Sequence, residues 1–396
     1  MVVMHWNYKD LFRACRLAFS AKKVWMQFVG FVVGGAGYTA LTYLAYALSG
    51  VPLAAVWERF GLIPWLDPHL VSPELSAVSL QWWSWAVWLL GLLYYLVVAL
   101  VAAAAVAKVT IEQLRGDDFF DAREAFRFAI SRFRVLVVGP AIPVAFAAII
   151  IVLGFILSLA GTIPALGDLL LGLLALPAFG ASLFVLYLIL VFTLSLALVP
   201  AIAGTTRHDS FDAIFEVFSC VNEQPWRLVV YSAVVATLGL AAAGLLALFS
   251  LEAVRLGNWV LRVFVGTGFD GIASGGPFYL RLSLPSWCPV YRLFEASSGS
   301  LLSGELTADG VTQNLAALLV GVAAHVVLLI VLGYGAAVWN TGMTISFVLL
   351  ARKKDDKNLL EEREDGESLE ETDNLSTDTC AGAGQPRGSG GPASVR

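Results

Sequence analysis

Six uninterrupted apolar runs constrain this chain more than anything else in it: Val24–Leu48, Trp85–Ala107, Val135–Leu159, Phe179–Ala203, Leu228–Leu248 and Leu315–Val338. A helix needs about 20 apolar residues to cross some 30 Å of hydrocarbon, and each run has that length. The runs are continuous rather than alternating, which excludes a transmembrane β-barrel. The fold class expected is therefore all-α, a polytopic helical membrane bundle with about six transmembrane helices. Composition agrees: of 396 residues, 58% are hydrophobic and only 14% charged, against about 25% charged in soluble domains.

The first run follows Lys22 and Lys23 and contains Ala45-Tyr46-Ala47, which imitates a signal-peptide cleavage site. Signal-peptide cores are about 7–15 residues long, so this run reads as a retained span.

Basic residues orient the bundle. With the N-terminus inside, the inner side collects 20 of the 25 Lys and Arg residues, and 13 against 5 remain when the tail is left out. The outer side keeps Arg59, Arg255, Arg262, Arg281 and Arg292 and no lysine. Cytoplasmic loops carry such an excess, so both chain ends are expected in the cytoplasm, in a cell membrane of the bacterial inner-membrane type. Trp82, Trp83, Trp85 and Trp88 crowd the outer end of the second span, and Trp25 and Trp226 stand at inner mouths. Aromatic rings of this kind prefer headgroup depth.

A short motif recurs ahead of three of the runs. Asp10 opens DLFRACRLAFSAKKVWMQFVGFVV, Asp121 opens DAREAFRFAISRFRVLVVG, and Asp212 opens DAIFEVFSCVNEQPWRLVV. Ten residues on from each aspartate stand Ser20, Ser131 and Asn222. Small residues lie between, at Ala14 and Ala18, at Ala125 and Ala129, and at Cys220. A basic corner follows each time: Lys22 and Lys23, Arg132 and Arg134, Arg227. In the second copy Phe119, Ala122, Phe126, Ile130 and Phe133 recur at helical spacing. In the third, Phe211, Ile214, Phe215, Phe218 and Val221 do so, opposite Asp212, Glu216, Ser219 and Asn222. Such a helix can lie in the membrane interface with its apolar face toward lipid. An aspartate at its start suits an N-cap or first turn. The expectation is a threefold internal repeat, over about 10–110, 119–208 and 211–351, inside one integral membrane domain of residues 1–354.

The remaining segments carry their own expectations. Leu169–Leu176 is too short to cross and reads as an interfacial turn, and Leu251–Val265 as a separate interfacial helix. Gly266–Gly276 is expected to be flexible, and the stretches FYLRLSL and VYRLFEA to pair as a hairpin. Residues 355–396 hold an acidic and then a Gly/Ser/Pro-rich composition that cannot bury a core, so a disordered cytoplasmic tail is expected. The outer loop 266–312 and this tail are the segments offered to other membrane proteins. The partner expected of the bundle itself is membrane lipid, not nucleic acid.

Motifs that would carry chemistry are missing. The chain has no GxxxxGK[ST], HExxH or GxSxG sequence, each of which marks a specific reaction. The four cysteines show no metal spacing, and Asp67 with His69 is an ordinary polar loop pair. No enzyme activity, catalytic residue, cofactor or metal is expected. One ionisable residue, His325, falls deep in an apolar run; residues so placed mark paths or relays, or pack structurally as a neutral ring. Asn340 and Thr341 are candidates for bonds between helices. The pattern of an EAF helix, a basic corner and a proline-bearing span resembles a loose group of uncharacterised bacterial multi-span membrane proteins. These are similar to the membrane domain of glycerophosphodiester phosphodiesterases. The resemblance rests on DAREAFRFAISRFRVL and DAIFEVFSCVNEQPWRLVV. That family's catalytic barrel has no counterpart in this chain, so the resemblance implies a membrane domain and no catalytic residue. The readings left are a lipid-interacting scaffold or assembly subunit, and a transporter or permease-like subunit.

Overall fold

The computed structural model describes residues 6–66, 81–163, 166–206, 209–266, 268–283, 306, 308, 310–355 and 359–360. Among these the chain is helical with no strand. A 3-10 turn, Tyr8–Phe12, leads into α1 (Arg13–Ala18), α2 (Ala21–Leu48) and α3 (Leu53–Phe60). Then follow α4 (Trp82–Arg115), α5 (Ala122–Ser131), α6 (Phe133–Ala160) and α7 (Leu166–Thr205). The remainder is α8 (Ser210–Glu223), α9 (Pro225–Val265), α10 (Gly268–Ala273), α11 (Gly275–Ser283) and α12 (Val311–Asp355). Six of these helices, α2, α4, α6, α7, α9 and α12, are long and apolar enough to cross a membrane. The protein is a multi-pass membrane protein, all-α as expected.

Neighbouring spans pair as antiparallel hairpins: α2 with α4, α6 with α7, α9 with α12. Small residues set how close they come. Gly30 of α2 faces the Ala102 methyl of α4, Gly139 of α6 faces Val199 of α7, and Gly239 of α9 lies on the Gly335 carbonyl of α12. Such residues let backbones approach within the membrane, where packing rather than water drives association. The second members of the three hairpins, α4, α7 and α12, also touch one another and form the centre.

The short helices complete a closed arrangement. α5 lies on α4, α8 on α7 and α6, and α1 on α12. Each leans on the span that ends the hairpin before it. α1, which has no predecessor, rests on the last span of the chain. The principal core lies at this end, where Ala14, Ala125, Ala129, Ala213, Val217 and Cys220 meet Val106, Ile202, Phe347 and Leu350. Residues 341–350 of α12 are all buried there. The same end carries Lys22, Lys108, Arg115, Arg132, Arg134, Arg227 and Lys353, and is called the basic end below. Away from it the spans present apolar surface, including Phe146, Ile149 and Leu153 on α6 and Leu240, Leu245 and Leu248 on α9. An exposed apolar patch of that extent requires a nonaqueous neighbour. Trp82, Trp25 and Trp226 are exposed at the span ends.

Several local expectations change. Leu169–Leu176 is no separate turn: it forms one helix with the fourth span, and Pro177 and Pro200 sit inside it. Spans tolerate proline because neighbours satisfy the freed carbonyls. Leu251–Val265 continues α9 without a break, since the junction around Ser250 has neither Gly nor Pro to end a helix. α9 is therefore about 62 Å long at 1.5 Å per residue, twice the hydrocarbon thickness. The run from Phe278 to Ser283, expected as a strand, is helical in α11. Alternation in so short a run does not separate strand from helix, and α11 gains a partner: Tyr279 lies over Gly321 of α12, and Gly275 over Ala317. The second strand of that hairpin, VYRLFEA, lies outside the described residues, as does nearly all of the tail. Gly268–Ala273, expected to be flexible, is a helix. The packed part runs past Lys354, because Leu359 and Leu360 are buried in the core and Arg115 donates to the Leu359 carbonyl (3.1 Å). A satellite core that sequence reading missed holds α3: Tyr46, Val51, Val56 and Phe60 pack together, and the Tyr43 hydroxyl donates to the Gly61 carbonyl (2.6 Å).

Candidate functional site

Sequence reading proposed two kinds of site, and the structure separates their members. His325 and Asn340 both lie on α12, 15 residues apart, which is about 22 Å along the axis. They form no common site. His325 is buried and its Nδ1 lies 2.8 Å from the Gly321 carbonyl one turn back. A carbonyl only accepts, so Nδ1 carries the proton in that contact, and Nε2 is left without a partner. Asn340 is half-buried, and its main-chain carbonyl accepts from Thr344 (2.7 Å).

The basic corners differ more than their spacing implied. Arg134 and Arg227 are exposed, and Arg227 donates to Gln224 (3.4 Å). Arg132 is half-buried with its guanidinium 5.7 Å from the Phe128 ring. Lys22 is half-buried and donates to the Phe120 carbonyl. Lys23 is no interfacial corner at all: it is 0% exposed. The reason is rotation of α2. Lys22 and Lys23 are 100° apart on the helix, and the face that carries Met26, Gln27 and Gly30 into the bundle carries Lys23 with it.

Around Lys23 three helices contribute polar groups. Its Nζ donates to the Thr341 hydroxyl of α12 (3.5 Å), and Thr341 Oγ1 is 3.4 Å from Thr110 Oγ1 of α4. Thr110 spends its own proton on the Val106 carbonyl (2.7 Å). A hydroxyl has one proton to give, so the chain has a direction: Lys23 to Thr341, Thr341 to Thr110, Thr110 to Val106. One turn from Lys23 on the same face of α2, Gln27 is 3% exposed with its Nε2 unpartnered. Three residues beyond Thr110, Gln113 is 9% exposed with its Oε1 unpartnered. Among the described residues no carboxylate lies within 4 Å of the Lys23 amine. Sequence carried one signal for this site that went unused: Lys23 and Gln27 are four residues apart on the small-residue face that continues to Gly30 and Gly34.

The other basic side chains of this end have their own ties. Lys108 pairs with Glu112 (2.7 Å) and stands 4.8 Å from the Phe128 ring, and Lys354 pairs with Glu216 of α8 (3.2 Å). Lys353 donates to the Tyr231 hydroxyl (3.1 Å) and Arg352 lies over Trp6 (5.4 Å). These contacts hold α5, α8, α9 and the N-terminal segment to the central spans. Cys15 and Cys220 are free thiols, and partial burial in α1 pushes the Cys15 pKa up. Cys288, Cys380, His5, His69 and His208 lie outside the described residues.

Among the described residues no three His, Cys, Asp or Glu side chains gather as a metal site. No family model matches the chain, and no curated protein or solved structure matches it. The resemblance to the membrane domains of glycerophosphodiester phosphodiesterases stands on the quoted residues alone.

Proposed function

We propose that this protein is a lipid-interacting scaffold or assembly subunit of a cell membrane, with its basic end in the cytoplasm and its short helices in the inner leaflet. One observation carries this reading: the short helices divide their faces by size. Ala14 and Ala18, Ala125 and Ala129, and Ala213 and Val217 are buried in the core. Large apolar residues point away from it on α5 and α8, with Ile130 61%, Phe211 64% and Phe215 68% exposed, as are Phe19 just after α1 (75%) and Phe119 just before α5 (94%), while Phe126 and Phe218 lie at the edge of the core. Ile214 and Val221, grouped with the phenylalanines on the basis of spacing, belong instead to the buried face. The same surfaces display Arg123, Arg127, Arg134 and Arg227. Aromatic side chains beside exposed arginines are what an interfacial helix offers to apolar chains and anionic headgroups. The cyclic packing of α1, α5 and α8 supports descent of the three units from one ancestral hairpin.

Phe119→Asp together with Phe215→Asp tests the reading. Both side chains are exposed, so the purified variant is expected to unfold within about 0.5 kcal/mol of the native protein. Its retention of anionic lipid through detergent purification, read by native mass spectrometry, is expected to fall several-fold. Unchanged lipid retention would refute the role given to these helices. In the same system, single cysteines at Arg127 and at Arg255 report orientation: only the second is expected to react with an impermeant maleimide added outside intact cells.

Burial of ionisable groups between spans favours a second reading, a transporter or permease-like subunit. The two readings part at His325→Leu. A scaffold keeps its fold and its lipid, because the exchange removes a bond within one helix and an unpartnered Nε2, leaving stability unchanged or raised by up to about 1 kcal/mol. Solute uptake by proteoliposomes that this variant abolishes would establish transport instead.

A further inference from the structure

We propose that Lys23 and Gln27, with Thr341 and Thr110 holding the amine in place, form a binding site for one small monovalent inorganic anion of the chloride class, buried between α2, α4 and α12. The inference concerns a separate part of the molecule from the lipid-facing helices and does not rest on the role given to them.

The chemistry begins with an imbalance. An ammonium group has three N–H donors, and this one uses a single long bond to Thr341. Held as an ammonium it is wholly removed from solvent, which costs several kcal/mol unless an opposite charge accompanies it. Two half-buried lysines at the same end have carboxylates: Lys108 has Glu112 and Lys354 has Glu216. Lys23 has hydroxyls. The direction of the hydroxyl chain makes this sharper. Thr341 and Thr110 pass their protons away from the amine toward Val106, so they solvate the cation and supply no negative charge.

A second group points to the kind of ligand. The amide nitrogen of Gln27 is a buried donor with no acceptor. It stands one helical turn from Lys23, and helical side chains lean toward the N-terminus, so the amide leans toward the amine. Donors from an ammonium and an amide thus lie one turn apart on one buried face of α2. Such a set selects an anion over a cation or a neutral acid. Size follows from the helices around it. Gly30 against Ala102 and Gly333 against Val24, Gln27 and Phe28 bring α4 and α12 close to α2, a packing that favours a ligand of one or a few atoms over a phospholipid headgroup.

The arrangement is confined to the first unit. Thirteen residues on from Asp10 is Lys23; thirteen on from Asp121 is Arg134, which is exposed, and thirteen on from Asp212 is Pro225. The site sits where the three units differ.

The test uses the full-length protein in a non-ionic detergent, unfolded thermally in potassium chloride or potassium gluconate at equal ionic strength. The native protein is expected to unfold several degrees higher in chloride, with a saturable dependence on chloride concentration. Lys23→Met is expected to unfold at one temperature in both salts, while Arg227→Gln, at an exposed corner, keeps the native response. Gln27→Leu introduces no charge imbalance and covers the case in which Lys23→Met fails to fold. It is expected to weaken the chloride dependence about tenfold, the loss of one hydrogen bond to a charged group. Equal unfolding temperatures of the native protein in the two salts would overturn the proposal. So would a Lys23→Met protein that still responds, or a native protein stabilised by added anionic lipid and indifferent to chloride.

Discussion

Gly204→Leu is expected to abolish the folded bundle. Gly204 lies on α7 where it crosses α4, and a Cβ there would stand 2.6 Å from the Ala107 methyl, 2.9 Å from the Lys108 nitrogen and 3.0 Å from the Ala104 carbonyl. Two of these three atoms are main chain and cannot rotate away. Extra atoms forced into a packed interior typically cost about 1–3 kcal/mol. A crossing that must separate as a whole lies at or above the top of that range. The residues around it, Ala104, Val106, Ile202 and Ala203, are at most 2% exposed, so α4 and α7 have no alternative surface on which to slide. Gly154→Leu and Gly180→Leu supply the contrast. A Cβ at either glycine meets nothing within 4 Å, and both variants are expected to stay within about 1 kcal/mol of native. Unfolding midpoints in one detergent compare the three; a Gly204 variant as stable as the other two would show that α4 and α7 do not cross as described.

The second large effect is expected on the small faces of the short helices. Ala129→Leu places three more carbons where α5 meets α4, at a position 0% exposed, and is expected to cost about 1–3 kcal/mol. Ala14→Leu carries more information. α1 is near the N-terminus, where segments are commonly loose, and a free α1 would tolerate the change at no cost. Because α1 packs on α12 as α5 packs on α4, the loss is expected to match that of Ala129→Leu. Ile130→Ala, next to Ala129 but 61% exposed, is expected to stay within about 0.5 kcal/mol. A negligible effect of Ala14→Leu beside a large one of Ala129→Leu would mean that the ring is open.

The candidate site was only partly legible. The spans could be read because crossing a membrane demands length and apolarity from one segment alone, and the short helices because their period is local. The burial of Lys23 could not, because it depends on how far α2 is turned about its axis. That angle is set by Gly30 on Ala102 and Gly333 on Val24 and Phe28, contacts made by residues more than 70 and 300 positions apart. Spacing grouped Ile214 with Phe215 as one apolar face for the same reason. Both are large and apolar, and only the neighbouring α6 and α7 decide which of them is covered.

Sequence by itself thus determined the class of protein, the number of spans and the existence of three short helices ahead of three of them. Each follows from hydrogen bonds and apolar length within a single segment, which hydrocarbon enforces residue by residue. Tertiary structure decided that α1 closes on α12, that α9 and α7 run on through expected breaks, and that one lysine of an adjacent pair lies inside while the other lies at the edge. Those outcomes depend on which backbones can approach one another, and that is settled by small residues on two helices at once.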